Sequence, residues 1–147
     1  MRDYRMPYNA TLLEFHNHIC TDLRYDPHVM ASFFRSDRQW SKLAEYTLID
    51  MGSEEAAGIM SDIALDQLIT QTGDRLIYTF DIFSDRSLYL EMVGVHKPEE
   101  GAQYPCTARS VGDPPPQFAL EGESSVFDDI MAEFADFEGD ESYDEEF

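Results

Sequence analysis

Residues 74–95 read DRLIYTFDIFSDRSLYLEMVGV. Two runs of alternating character flank a short polar segment. In the first, Leu76, Tyr78 and Phe80 project to one side and Ile77, Thr79 and Asp81 to the other. In the second, Leu88, Leu90 and Met92 share a side, opposite Tyr89, Glu91 and Val93. Period-two alternation rich in aromatic and branched residues predicts paired, half-buried antiparallel strands. Ser84, Asp85 and Arg86 supply turn chemistry between them. No other stretch is so dense in core candidates, so the rest of the chain is read around this hairpin.

Upstream, Tyr4 and Met6 alternate with charged neighbours, which predicts a strand over 2–6 stopped by Pro7. Thr11 and Glu14 have the spacing of a capping box, in which each side chain bonds the other's backbone N–H. The helix they open should run to about residue 22, burying Leu12, Phe15, Ile19 and Leu23. Residues 29–34 and 46–51 read as two further strands, with a turn at Ser36 and Asp37. Trp40, between them, is expected to plug the sheet edge. Leu65, Leu68 and Ile69 fall at helical spacing and predict a second short helix, closed by Gly73. Residues 104–112 read as an ordered segment. Three consecutive prolines, 114–116, can neither donate to a ladder nor sit inside a helix, so the compact fold should end there.

The chain has 147 residues, which suits one domain with a modest core. Ten Lys+Arg against 30 Asp+Glu give a formal net charge of -20. Such a surface repels phosphate backbones, which disfavours direct nucleic-acid binding and favours basic partners or plain solubility. The charge is uneven: residues 1–109 hold 10 basic and 17 acidic groups, and the other 13 acids lie from Asp113 onward. Within that acidic stretch Ser125 can cap a helix with Phe127, Ile130, Met131, Phe134 and Phe137 on one face. Acidic-hydrophobic segments of this kind dock into basic-rimmed grooves, pack on their own domain or stay solvated. Cys20 and Cys106 make no disulfide framework and fit a reducing compartment. No run approaches the roughly 18 apolar residues of a membrane helix. The N-terminus lacks an apolar signal region, and the expected location is the cytoplasm.

Chemistry-bearing groupings are few. Asp81 and Asp85 flank the hairpin turn with Arg86 beside them, a candidate polar site able to hold a metal or share a proton. The plainer reading is turn chemistry, with Arg86 neutralising one carboxylate. His16 and Cys20 share a helix face but lack a second ligand pair, so no metal is expected. No nucleophile elbow, Walker loop or dinucleotide fingerprint occurs, and neither a cofactor nor an enzymatic activity is expected.

Several stretches together resemble the plasmid pRiA-type ORF-three-like family, which includes passenger TnpR-type proteins of insertion elements. They are Thr11, Leu12, Phe15 and His16; Tyr25, Asp26, Met30 and Phe33; Leu65 and Leu68; 76–81 with Asp85; 104–106; and 112–116. The similarity is greatest to a Bacteroidetes-like branch that also carries an acidic, aromatic-spotted tail. The resemblance implies a small α+β fold and no known activity. It also implies a strand ahead of 2–6, which this sequence does not contain, so an open sheet edge is expected. Most of the family has an Asp-Phe-Gly-Asp turn followed by Trp and His, whereas 81–89 here read DIFSDRSLY.

The expectation is therefore an α+β fold, a small antiparallel sheet with two or three packed helices, over 1–117, followed by an acidic tail over 118–147. The function expected is that of a non-enzymatic protein-interaction module from a mobile-element family. The alternatives are an accessory factor in DNA transactions working through a basic DNA-binding protein, and a metal-dependent hydrolase using Asp81 and Asp85.

Overall fold

Thr11 opens helix α1, Leu12–Leu23, through a reciprocal cap. In this computed structural model, which describes residues 1–52 and 54–118, its hydroxyl accepts the Glu14 N–H at 3.1 Å. The Glu14 carboxylate accepts the Thr11 N–H at 2.8 Å. Arg24, at φ 62°, closes the helix in the left-handed conformation. Leu12, Phe15, Ile19 and Leu23 are buried as their spacing predicts, joined by His16 and Cys20. Thr11→Ala should cost about 1 kcal/mol. Thermal denaturation checks this, with a melting temperature lowered by about 4–8 °C.

The strands are β1 (Arg2–Arg5), β2 (Ser32–Ser36), β3 (Lys42–Thr47), β4 (Gly58–Ile59), β5 (Arg75–Asp81), β6 (Arg86–Glu91) and β7 (Cys106–Ser110). Five form one sheet in the order β4-β3-β2-β5-β6, antiparallel except for the β3–β4 pair. β1 and β7 form a separate two-stranded ribbon. In the central hairpin Leu76 lies opposite Leu90 and Tyr78 opposite Leu88, so the predicted faces match across the pair. α1 crosses that face. Phe15 stacks on Phe33 at 5.5 Å and Phe33 meets Tyr78 at 4.8 Å, which places the core between helix and sheet.

The expectation of two or three packed helices is corrected. The described residues hold two sheets with seven strands and a single α-helix. Of Leu65, Leu68 and Ile69 only Leu65 lies in a helical element, the 3-10 turn Leu65–Gln67, which Leu68 caps. Before it, a first 3-10 turn, Met60–Asp62, is followed by extended backbone at Ile63 and Ala64: Thr11 bridges Ala64, and the Leu65 N–H bonds the Ala10 carbonyl at 2.7 Å. Beyond it, the Asp74 carboxylate accepts the N–H groups of Thr70 and Gln71. With both ends committed, only one tight turn fits, and a three-residue apolar spacing serves it as well as an α-helix. The tail helix predicted from Ser125 lies outside the described residues.

Two strands lie three or four residues from where their apolar runs place them. β2 starts at Ser32 because residues 26–29 turn, the Val29 N–H bonding the Asp26 carbonyl. β3 starts at Lys42 because Asp37 organises a tight hairpin, its carboxylate accepting the N–H groups of Gln39 and Ser41 at 2.9 Å each. The second face of the sheet is also less open than alternation predicts. Ile77 is buried, flanked across the sheet by Phe34 and Tyr89. Trp40 meets Tyr89 edge-on at 5.2 Å, Arg75 lies over the Trp40 ring and Lys42 over Phe34. A thin layer of rings and cations thus covers the middle of that face.

The ribbon sits on α1. Tyr4 packs edge-on against Phe15 and His18, and its hydroxyl donates to Asp22 at 3.0 Å. Arg2 pairs with the same carboxylate at 3.1 Å. His18 meets the Thr107 hydroxyl at 3.1 Å. One helix therefore carries the core on one side and the ribbon on another.

Candidate functional site

β1 pairs with β7 only, and β6 pairs with β5 only. Between the ribbon and the β6 end of the larger sheet lies a cleft of about 580 Å³. Residues 2–8 line one side without interruption, and residues 89–98 the other. A groove bounded by strand faces would meet every second residue, because successive side chains point oppositely. Along β1 and along residues 89–91 of β6, consecutive lining means that the walls are strand edges, with main chain as well as side chains facing the opening; residues 6–8 and 92–98, beyond those strands, complete the walls. Phe15, Leu65, Ile69 and Leu76 reach it from the core.

The charged groups around the cleft are mostly engaged. Arg2 pairs with Asp22, Arg5 with Glu99 at 2.9 Å, and Glu91 with Arg75 at 3.4 Å. Asp74 is bound by the Thr70 and Gln71 amides, which hold its carboxyl below the usual range. His96 and Lys97 are exposed at the rim and form no ion pair among the described residues. Val93 and Val95, also lining the cleft, are 76% and 73% exposed. What the arrangement offers chemically is an apolar slot with backbone donors and acceptors along it.

The hairpin corner separates the two aspartates. Asp81 pairs with Arg86 at 3.1 Å, the two side chains 14% and 21% exposed. Asp85, at φ 54°, is exposed and pairs with Lys42 across the sheet. The carboxylates thus hold different cations, which counts against a shared metal. Arg86 also donates to the Pro116 carbonyl and lies over the Phe80 ring. Tyr25 donates to the Pro115 carbonyl at 2.5 Å, and burial pushes its pKa up to about 12. Gln117 exchanges two bonds with the Asp26 backbone. Prolines have no N–H, so this segment is held through its carbonyls. Arg86→Met should cost about 1–3 kcal/mol, the penalty for leaving Asp81 and a carbonyl unpaired. Hydrogen exchange at the Asp26 amide, which donates to the Gln117 side chain, should accelerate in that variant; an unchanged rate would show that the corner does not hold the segment.

His16 and Cys20 do come together, in the interior. His16 is 1% exposed; its Nε2–H donates to the Pro27 carbonyl at 2.9 Å, so Nδ1 accepts from the Tyr78 hydroxyl at 2.8 Å. The Cys20 thiol lies 3.6 Å from that hydroxyl and can donate to it. Burial lowers the His16 pKa and raises those of Cys20 and Tyr78. Each donor has an acceptor, and the cluster is a closed structural network. Among the described residues no group of three or more His, Cys, Asp or Glu could hold a metal ion. The tail residues Phe127, Ile130, Met131, Phe134 and Phe137 lie outside the described residues.

The cleft was missed from sequence because the β1–β7 pairing joins residues about a hundred positions apart. The available signal was Val93 and Val95, two apolar side chains leading into the loop at Pro98.

Two sheets, one of them a ribbon set beside an open strand edge, with an α-helix packed on the larger, define a small β-rich fold. The chain belongs to the family described as plasmid pRiA4b ORF-3-like protein, which matches residues 1–145. The function of that family is unknown. No curated protein matches the chain. Among solved structures it is similar to a protein of unknown function from Methanosarcina mazei Go1, with a TM-score of 0.61 and 17% identity. The match covers 74% of this chain and 59% of that one, so the chain spans less than two thirds of its length. At that identity the likeness concerns the fold. Among the described residues no helix is long and apolar enough to cross a membrane.

Proposed function

We propose that this protein is a non-enzymatic protein-interaction module and that the cleft between the ribbon and β6 is its docking surface. The observation that carries this is the uninterrupted lining by 2–8 and 89–98 around an apolar interior. Exposed valines at its lip are surface that a partner would remove from water. The acidic tail, with Phe127, Ile130, Met131, Phe134 and Phe137, is proposed as a second contact for a basic partner. The net charge of -20 also favours a narrower version of this reading, in which the partner is a basic DNA-binding protein.

Affinity capture with the immobilised full chain tests the docking surface. Val93→Glu with Val95→Glu places two charges where a partner would desolvate them. Proteins enriched by the native chain should be lost on the double variant. Identical sets retained by both would remove the cleft from the account.

A further inference from the structure

Resting on the reading of the cleft as a docking surface, we propose that its occupant is one extended segment of a basic partner protein, added as a strand between β1 and β6. The walls dictate the backbone conformation. The Met92 N–H bonds Asp74, and the Met92 carbonyl accepts from Gly73, both on the β5 side. Strand alternation then turns the N–H and C=O groups of Tyr89 and Glu91 toward the cleft. On the opposite wall Met1 exchanges bonds with Val111, so Arg2 and Tyr4 present theirs away from β7. Two rows of unpaired main-chain groups facing one slot are satisfied together by a single extended chain.

The occupant's side chains follow from the surroundings. Those pointing inward meet the apolar core, so alternate positions of the incoming strand are apolar. Those pointing outward meet a domain whose residues 1–109 hold 10 basic and 17 acidic groups, a balance of -7, which favours lysine or arginine. A second copy is opposed as well, because two chains of net charge -20 repel each other. The other end of the large sheet offers no comparable template, because β4 is two residues long.

The probe is a capped nine-residue peptide alternating valine and lysine, titrated into the full-length chain by calorimetry. It should bind, and its analogue with N-methylated lysines, which keeps the side chains but loses one row of N–H groups, should bind at least about tenfold more weakly. The valine–glutamate analogue should not bind measurably. Tyr89→Pro, which removes an edge N–H without touching the β5 ladder, should bind the peptide at least about tenfold more weakly than Tyr89→Ala, which keeps that N–H. Equal binding of the methylated and unmethylated peptides would overturn strand addition while leaving the docking surface intact. Absence of any peptide binding would overturn it outright, and capture by the native chain would then stand or fall separately. A dimer of the native chain in sedimentation, dissolved by Tyr89→Pro, would assign the slot to a second copy and equally overturn the proposal.

Discussion

Replacing Phe33 by alanine is expected to destabilise the domain by about 3–5 kcal/mol, the range for emptying a fully buried aromatic site. Phe33 is 0% exposed and joins helix to sheet: its ring stacks on Phe15 and meets Tyr78. No neighbour can collapse into the space without moving α1 off β2 and β5. Domains are stable by about 5–15 kcal/mol, so the variant stands near the limit of folding. Urea denaturation checks it: the midpoint should fall by more than about 1 M at the usual slope for small proteins. Phe83→Ala is the control. That ring is 101% exposed at the hairpin tip, and its loss should stay within about 0.5 kcal/mol. A Phe33→Ala midpoint close to native would mean that the helix–sheet interface is not the core.

His16→Leu should cost about 2–4 kcal/mol at neutral pH, because the Pro27 carbonyl and the Tyr78 hydroxyl both lose their partner inside the fold. The variant also has a signature that packing damage alone lacks. In the native chain burial holds the His16 pKa below its ordinary 6.5. Below pH 6.5 the unfolded chain therefore takes up a proton that the folded chain refuses. This contribution to stability is full above pH 6.5 and shrinks as the pH falls toward the folded pKa, by up to about 1.4 kcal/mol per pH unit. His18, also lowered by desolvation, acts with the same sign and remains in both proteins. The difference between native chain and variant should therefore narrow on going from pH 7 to pH 5. A constant difference across that range would remove His16 from the buried network.

The parts of the fold legible in sequence are those set by local chemistry. The Thr11–Glu14 cap and the stripe of α1 need only neighbours three and four residues away. The β5–β6 faces need only alternation and a turn. Errors arise where distant pairing decides. Leu65, Leu68 and Ile69 carry a helical spacing, but the bonds of residues 63–65 to 10–12 leave length for one 3-10 turn. β3 begins in the polar run at Lys42, with Leu43 exposed, because the Asp37 hairpin fixes its register rather than its own hydrophobicity. Ile77 reads as an outward position, yet Phe34 and Tyr89 from neighbouring strands bury it. The candidate polar site was legible as residues and not as geometry: Arg86 was expected to neutralise one aspartate, while Lys42, which holds the other, comes from a strand forty-three positions away. The cleft depends wholly on where a strand near residue 2 meets one near residue 110, and no local pattern encodes that.

Backbone hydrogen exchange, read residue by residue on the full chain with and without the valine–lysine peptide, locates the added strand. Exchange should slow at Tyr89 and Glu91 on β6 and at Arg2 and Tyr4 on β1, all four together. Exchange unchanged at these amides while the peptide is bound, or slowed only along β3 and β4, would contradict strand addition between β1 and β6.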